Sequence, residues 1–127
     1  MIAVVATVSG VFAVDLETGD VEPTDLLPDD VSPPRLNLPR LVAAAASGTT
    51  VAAVVDTKPP LLLSYDGGVT WRASGRGLPP GRAIAIAGES PDTMVFAGRN
   101  RLYLSRDGGI FWTAVAGELP EIESVSI

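Results

Sequence analysis

The chain contains 127 residues, enough for one compact domain of ordinary size. Its 15 acidic side chains outnumber 9 basic ones and give a formal net charge of −6, which argues against nucleic acid and anionic membrane surfaces as partners. The chain has no Cys and no His, which excludes disulfide frameworks, Cys/His zinc sites, thiolate nucleophiles and Ser-His triads. We therefore expect neither a cofactor nor a bound metal.

The first 14 residues are apolar enough to imitate a secretory signal peptide. No Lys or Arg occurs before Arg35, whereas such a signal needs a positively charged start. Segments 2–7 and 11–14 also match later segments of the chain, so we predict that both are β-strands. Since no apolar run approaches the length of a membrane span, we expect a soluble, cytoplasmic protein, with secretion as the open alternative.

A turn and a long connecting segment follow these strands. Residues 15–20 form an imperfect copy of a turn that recurs later, with Glu17 and Gly19 at its central positions. Residues 29–39 are rich in Pro and polar side chains and have no counterpart of equal length elsewhere. This segment is a connector stiffened by proline or a binding loop, because long loops carry many of the contacts that folded domains make.

The next two segments, 40–46 and 49–55, are predicted strands, the first rich in Ala and the second in Val. Residues 82–87 and 93–97 repeat this pair. Small side chains are typical of strands that converge on a narrow channel, so we place the Ala-rich strand innermost. An Ala run also favours helix, which is the alternative for this segment.

One octapeptide occurs twice, as SYDGGVTW at residues 64–71 and as SRDGGIFW at residues 105–112, 41 residues later. Apolar runs precede both copies, and a Leu-Pro pair follows each at the same distance. A period near 40 residues, made of short apolar runs and Gly-rich turns, predicts stacked units of about four strands, as in propeller blades. We therefore predict an all-β fold with about three four-stranded antiparallel blades per chain.

The octapeptide resembles the Asp-box, or BNR repeat, whose pattern is Ser/Thr-x-Asp-x-Gly-x-Thr-Trp. The first copy has every element, and the second differs only in Phe111, which replaces the Thr. Members of this family form β-propellers and include sialidases, sortilin-like receptor domains, glucan hydrolases and photosystem assembly factors, so the resemblance implies fold more firmly than activity. It assigns a structural role to Ser64, Asp66, Gly68, Thr70, Trp71, Ser105, Asp107, Gly109 and Trp112.

The physical chemistry of the motif agrees with a structural role. An Asp in a tight turn accepts hydrogen bonds from the N–H groups that follow it, and Gly supplies the positive φ that the turn needs. The Trp can then bury its ring against a neighbouring blade. Asp66 and Asp107 could instead be metal ligands or catalytic acids, but one carboxylate per turn makes a poor cation site.

The strand count predicts how the domain is completed. We place blade units at about 1–28, 40–79 and 82–120, and the first unit lacks its innermost strand. Residues 121–127 supply a spare innermost strand. Three blades are too few to close a ring, and an open arc exposes apolar faces and strand edges. We therefore predict that 1–127 is one half-propeller domain, and that a homodimer with exchanged C-terminal strands forms a six-bladed ring; a fragment of a larger Asp-box protein is the alternative.

Strand order also predicts which loops share a face of the ring. The face opposite the octapeptide turns should carry five bases, namely Arg40, Lys58, Arg82, Arg99 and Arg101. Guanidinium groups around a channel mouth suit carboxylate or phosphate groups, so we predict an anionic small molecule or a protein partner as ligand. The alternative is that these arginines merely pair with Glu121, Glu123 or Asp29.

Two functions remain after these steps, a non-catalytic binding or assembly scaffold and a glycoside hydrolase of the sialidase type. The Arg-Ile-Pro segment and the Tyr/Glu nucleophile pair that the resemblance would require for a sialidase are not found, and Tyr65 and Tyr103 are the two tyrosines of the chain. Asp29 with Asp30 and Glu121 with Glu123 are as well explained as solvated loop charges as by a pair of glycosidase carboxylates. We therefore predict a scaffold without catalytic residues.

Overall fold

The computed structural model describes residues 1–28 and 33–127. These residues contain no helix, and hence none long and apolar enough to cross a membrane. They form twelve strands: β1 (Ile2–Thr7), β2 (Gly10–Asp15), β3 (Val21–Pro23), β4 (Leu41–Ser47), β5 (Thr50–Val55), β6 (Leu61–Ser64), β7 (Arg72–Ser74), β8 (Ala83–Ile86), β9 (Met94–Ala97), β10 (Leu102–Ser105), β11 (Thr113–Val115) and β12 (Ile122–Ser126).

The strands make three four-stranded antiparallel sheets, which we call blades I, II and III. Blade I has the order β12-β1-β2-β3, blade II runs β4-β5-β6-β7, and blade III runs β8-β9-β10-β11. Their strands are short and separated by Gly-rich turns, which is why blades II and III and strands β1–β3 of blade I are simple meanders. The prediction of an all-β fold with about three four-stranded blades per chain is confirmed.

Blade I differs from our prediction in the origin of its innermost strand. We predicted that a partner chain supplies this strand, whereas in the single chain β12 pairs with the chain's own β1, with Val125 opposite Val5. The physical reason is that both parts of blade I lie against blade III. Strand β12 directly follows blade III in the chain, and the N-terminal strands pack against blade III. The strand that leaves blade III therefore already lies beside β1, and the blades stand in the spatial order II, III, I.

Two apolar cores hold this arc together. One lies between blades I and III and includes Val5 and Val95, and the other lies between blades II and III and includes Val54 and Phe96. Successive side chains of a strand point to opposite faces, so β9 sends Val95 into one core and Phe96 into the other. Blade III is thus buried on both faces, which explains why every residue of β9 is buried.

The innermost strands β4, β8 and β12 line one cavity of about 250 Å³ together with Pro33 and Pro34. The Ala-rich segment is strand β4 and not a helix. Its small side chains let the three inner strands approach this common space. Of the predicted connecting segment 29–39, residues 29–32, which include the alternative ion-pair partner Asp29, lie outside the described residues.

Candidate functional site

Both octapeptides form the turn between the third and fourth strands of their blades. In the first turn, the carboxylate of Asp66 accepts hydrogen bonds from the Ser64 hydroxyl at 2.7 Å, the Thr70 N–H at 2.9 Å and the Thr70 hydroxyl at 2.5 Å. The Ser64 oxygen in turn accepts from the N–H of Gly68 at 2.8 Å. Gly67 and Gly68 have φ values of 73° and 94°, a region that favours glycine. The turn is therefore closed by its own side chains.

The second turn repeats this pattern without the threonine hydroxyl. Asp107 accepts from the Ser105 hydroxyl at 2.8 Å and from the N–H groups of Ile110 and Phe111 at 3.1 and 3.0 Å, and Gly109 donates to the Ser105 oxygen at 2.9 Å. These contacts hold the carboxylate as a hydrogen-bond acceptor within the turn, which leaves it poorly placed for proton transfer to a ligand.

Each Trp of the octapeptides directly precedes the fourth strand of its blade. The ring of Trp112 packs edge-on against Phe96, with centroids 6.0 Å apart, at the core between blades II and III. Its indole N–H donates to the Gly109 carbonyl at 2.9 Å. Trp71, at the same position of blade II, is also half-buried. Among the described residues, no blade stands on that side of blade II to receive the ring of Trp71.

Hydrogen bonding lowers the pKa of both carboxyl groups. The pKa of Asp66 falls from 3.8 to about 2, first because of the Thr70 hydroxyl and then because of the Thr70 N–H and the Ser64 hydroxyl. The pKa of Asp107 is also lowered, first by the Phe111 N–H and then by the Ser105 hydroxyl. Both groups are therefore carboxylates at neutral pH.

Acid should weaken the fold through Asp66. A pKa that is depressed in the folded state stabilises the fold above the unfolded-state value and loses that effect as the pH falls toward about 2. Asp66→Asn should therefore melt lower than wild type at neutral pH, and its melting temperature should fall less between pH 4 and pH 2. Calorimetry across this range measures the difference. Equally steep losses for both proteins would exclude Asp66 as a source of the acid sensitivity.

The loops on the side of the blades opposite the octapeptide turns form a groove that contains three of the five predicted bases. Arg82, from the loop before β8, meets Arg99 and Arg101, from the loop between β9 and β10, in a groove of about 430 Å³. Pro79, Pro80, Tyr103 and Glu118 also line it. Strand order explains the meeting, because both loops belong to blade III and leave it on the same side.

The other two bases lie apart from this groove. Lys58 is exposed and lines a neighbouring groove that shares Pro80 and Gly81 with the first. Arg40 stands in the turn before β4 with a left-handed φ of 59°, where its carbonyl accepts the N–H of Asp56 at 3.0 Å. The structure thus places Lys58 beside the arginine groove and leaves Arg40 outside its lining.

Ion pairing compensates part of the positive charge in the groove. One oxygen of Glu121 lies 2.9 Å from Nη2 of Arg82 and 3.6 Å from Nε of Arg99. Exposed pairs of this kind are weak, typically about 0–1 kcal/mol. Arg101 differs from both, because its Nε is buried and finds no hydrogen-bond acceptor among the residues that the structure describes. A buried N–H without an acceptor is costly.

Two hydrogen bonds that the sequence does not predict connect blade II to the second octapeptide turn, in blade III. The phenol of Tyr65, in the first turn, donates to the Gly108 carbonyl of the second turn at 2.7 Å, and the Ser74 hydroxyl donates to the Gly109 carbonyl. Burial raises the pKa of Tyr65 above its usual value. The repeat spacing alone could have suggested that successive turns lie side by side, but it carries no signal for this bond.

Among the described residues, no group of three or more His, Cys, Asp or Glu side chains is arranged to hold a metal ion. The arginine groove can receive an anion, whereas the two turns satisfy their own polar groups.

No protein-family model and no curated protein matches the chain. Two solved β-propeller structures are similar to it. The structure described as YCF48 bound to D1 peptide aligns with 93% of this chain and 38% of its own chain, with a TM-score of 0.51 and 18% identity. The GH74 enzyme of Niastella koreensis aligns with 89% of this chain and 17% of its own, with a TM-score of 0.48 and 22% identity.

This chain therefore spans less than two fifths of the length of either protein. At these identities the likeness concerns the fold and leaves activity, substrates and partners open. The three four-stranded blades and the likeness to the first structure agree on one architecture. The chain has a β-propeller fold.

Proposed function

We propose that the chain is a non-catalytic Asp-box propeller that serves as a binding or assembly scaffold and takes an anionic ligand in the arginine groove. The meeting of three arginines, Arg82, Arg99 and Arg101, in one groove carries this proposal. Two of their guanidinium groups share a single carboxylate oxygen, and the buried Nε of the third has no acceptor among the described residues. Within a chain of net charge −6, such a concentration of bases favours a specific anion site.

The lining of the groove narrows the ligand class. Guanidinium groups bind carboxylate and phosphate oxygens through two parallel N–H bonds. Tyr103, Pro79 and Pro80 supply an apolar wall beside them, where an aliphatic or aromatic group attached to the anion would pack. An acidic segment of a protein partner can offer both an anionic group and an apolar group, whereas a small carboxylate or phosphate offers only the anionic group.

The turns support the scaffold over the hydrolase. Asp66 and Asp107 are held by donors of their own turns, and the Tyr65 hydroxyl is bonded to the Gly108 carbonyl. These are the contacts of groups that shape a turn and join two blades. They also support the assignment of both turns as Asp-boxes, with Ser, Asp and Gly in structural roles.

We further propose that two copies form the functional unit, a six-bladed ring closed by a homodimer. The three-blade arc leaves one face of blade I and one face of blade II without a neighbouring blade. Each copy keeps its own β12 in blade I, so blade I of one copy would meet blade II of the other copy in this ring.

Ligand titration tests the groove. We expect an acetylated tetra-glutamate peptide, citrate or inorganic phosphate to bind wild type, and Arg101→Gln to weaken the tightest of these by about tenfold, as expected for one charge-assisted bond of about 1.4 kcal/mol. Arg106→Gln is the matched control, because Arg106 is exposed in the second octapeptide turn and lies outside the arginine groove. Calorimetry measures the affinities. Equal affinity of wild type and Arg101→Gln for all three probes would remove the groove from the proposal.

A further inference from the structure

Both interfaces between blades of this chain join the same two kinds of surface. In the spatial order II, III, I, each blade has a forward face toward the next blade and a rear face toward the preceding one. At each interface, alternating residues on the second strand of one blade meet alternating residues on the second strand of the next. These residues are Ala52 and Val54 with Met94 and Phe96 between II and III, and Val95 and Ala97 with Ala3 and Val5 between III and I.

In the part of the chain that the structure describes, no blade packs against the forward face of blade I. Because Ala3 and Val5 point toward blade III, alternation along β1 places Ile2, Val4 and Ala6 on the free face. Ile2 is exposed and the other two are half-buried. This face is therefore an apolar sheet surface with no blade against it, a surface that commonly marks an interaction site.

The rear face of blade II is also without a neighbouring blade, yet it is covered. Alternation along β5 turns Val51, Ala53 and Val55 away from blade III, and their exposed fractions are only 5%, 0% and 4%. Val51 and Ala53 correspond in register to Met94 and Phe96, which are the residues that blade III presents to blade II. Side chains outside the strands must therefore shield this face, Trp71 among them, since Trp71 stands where Trp112 packs against Phe96 in blade III.

The segment 33–39, which we call the strap, is the described connecting segment that lies beside the inner edge of blade II. Pro33 and Pro34 line the central cavity with Ala44–Ala46 near the end of β4 and with residues of β8 and β12, and the turn at Arg40 leads into the start of β4. The strap therefore runs beside β4 in the opposite direction. Its burial alternates: Pro34, Leu36 and Leu38 are half-buried, whereas Pro33, Arg35, Asn37 and Pro39 are exposed.

We propose that the rear face of blade II is the docking surface for the forward face of blade I of a second copy, and that the strap occupies this surface in the single chain. The occupant follows from the repeat, because a second copy's blade I offers Val4 and Ala6 to Val51 and Ala53 in the arrangement seen at both existing interfaces. The inference rests on the proposed ring and adds a condition to it. Ring closure requires the strap to leave, so strap release and association are linked, and the strap lowers the apparent affinity between copies.

Because the chain has no cysteine, a single introduced cysteine can test directly whether the strap covers the rear face of blade II. Cysteine introduced by Ala53→Cys reports on the rear face of blade II, and cysteine introduced by Ala52→Cys reports on the interface with blade III; both alanines are fully buried. The strap is weakened by Leu36→Ser/Leu38→Ser, with Arg35→Ser/Asn37→Ser as the matched control on its exposed side. Reaction with a thiol reagent measures the exposure of each position in dilute protein.

We expect the leucine variant to speed labelling at position 53 by about tenfold or more, since a cover that opens more often exposes the thiol in proportion, with no change at position 52. The control variant should change neither rate. Equal acceleration at both positions, or none at position 53, would overturn the inference, because the strap side chains would then not be the specific cover of this face.

Sedimentation of the same proteins tests the occupant. We expect the leucine variant to form two-chain particles at a lower concentration than wild type, and we expect position 53 to be protected again within them. If position 53 opens selectively but the mass remains that of one chain, docking of a second copy is refuted together with the ring. If the variant and wild type dimerise equally, the strap does not compete with the second copy, and this inference fails while dimerisation itself stands.

Discussion

Phe96→Ala should lower the free energy of unfolding by about 3–5 kcal/mol, the range seen when a buried aromatic side chain is truncated and leaves a cavity. Phe96 is fully buried at the core between blades II and III. Its ring makes edge contacts with Tyr103 and Trp112, with centroids 6.1 and 6.0 Å away. Urea titration followed by tryptophan fluorescence measures the loss, and Trp112 reports on the same core.

Phe111→Ala is the matched control for this truncation. Phe111 is 75% exposed at the tip of the second turn, so its removal should change stability by no more than about 0.5 kcal/mol. Comparable losses for the two variants would show that the contact between blades II and III is not the core that the structure describes.

Gly81→Ala should destabilise the chain by about 1–3 kcal/mol through overpacking at the same interface. A Cβ at this position would lie 2.6 Å from Cε2 and Cζ of Phe96 and 2.6 Å from Cγ1 of Val54. Gly81 is not among the glycines with positive φ, so the expected effect is steric and not a matter of backbone conformation. Thermal unfolding of the purified variant checks it.

Gly88→Ala is the control that distinguishes a steric clash at Gly81 from a general effect of replacing glycine on stability. A Cβ at Gly88 would meet no atom within 4 Å, and its φ is not positive either. We expect its melting temperature to stay near that of wild type. If Gly81→Ala were equally well tolerated, blades II and III would be packed less tightly there than the structure indicates.

The repeat made most of the fold predictable. A period of 41 residues, two near-identical turns and short apolar runs indicate the strands of blades II and III, because these features are local. The origin of the innermost strand of blade I was not predictable. Residues 122–126 pair with β1 through the same backbone groups whether β1 belongs to the same chain or to a partner, so the sequence carries no signal that separates the two.

The candidate site was predictable only as a loop face. Strand order brings Arg82, Arg99 and Arg101 to one side of blade III, and they meet in one groove. Strand order does not determine the directions of side chains in loops. The position of Arg40 outside this groove and the burial of the Arg101 Nε are therefore known only from the structure. The sharing of Glu121 by two arginines was foreseen only as the competing interpretation of these bases.

Light scattering over a wide range of protein concentration tests the central proposal most directly, because a ring of two three-bladed chains is a closed assembly. We expect the mass to rise from one chain of 13.1 kDa to two chains as the concentration increases, and then to stop. Closure explains the plateau, since the two blade faces of each copy that lack a neighbouring blade are then both occupied by the other copy. A mass of one chain at every concentration, or growth beyond two chains without a plateau, would contradict the six-bladed ring.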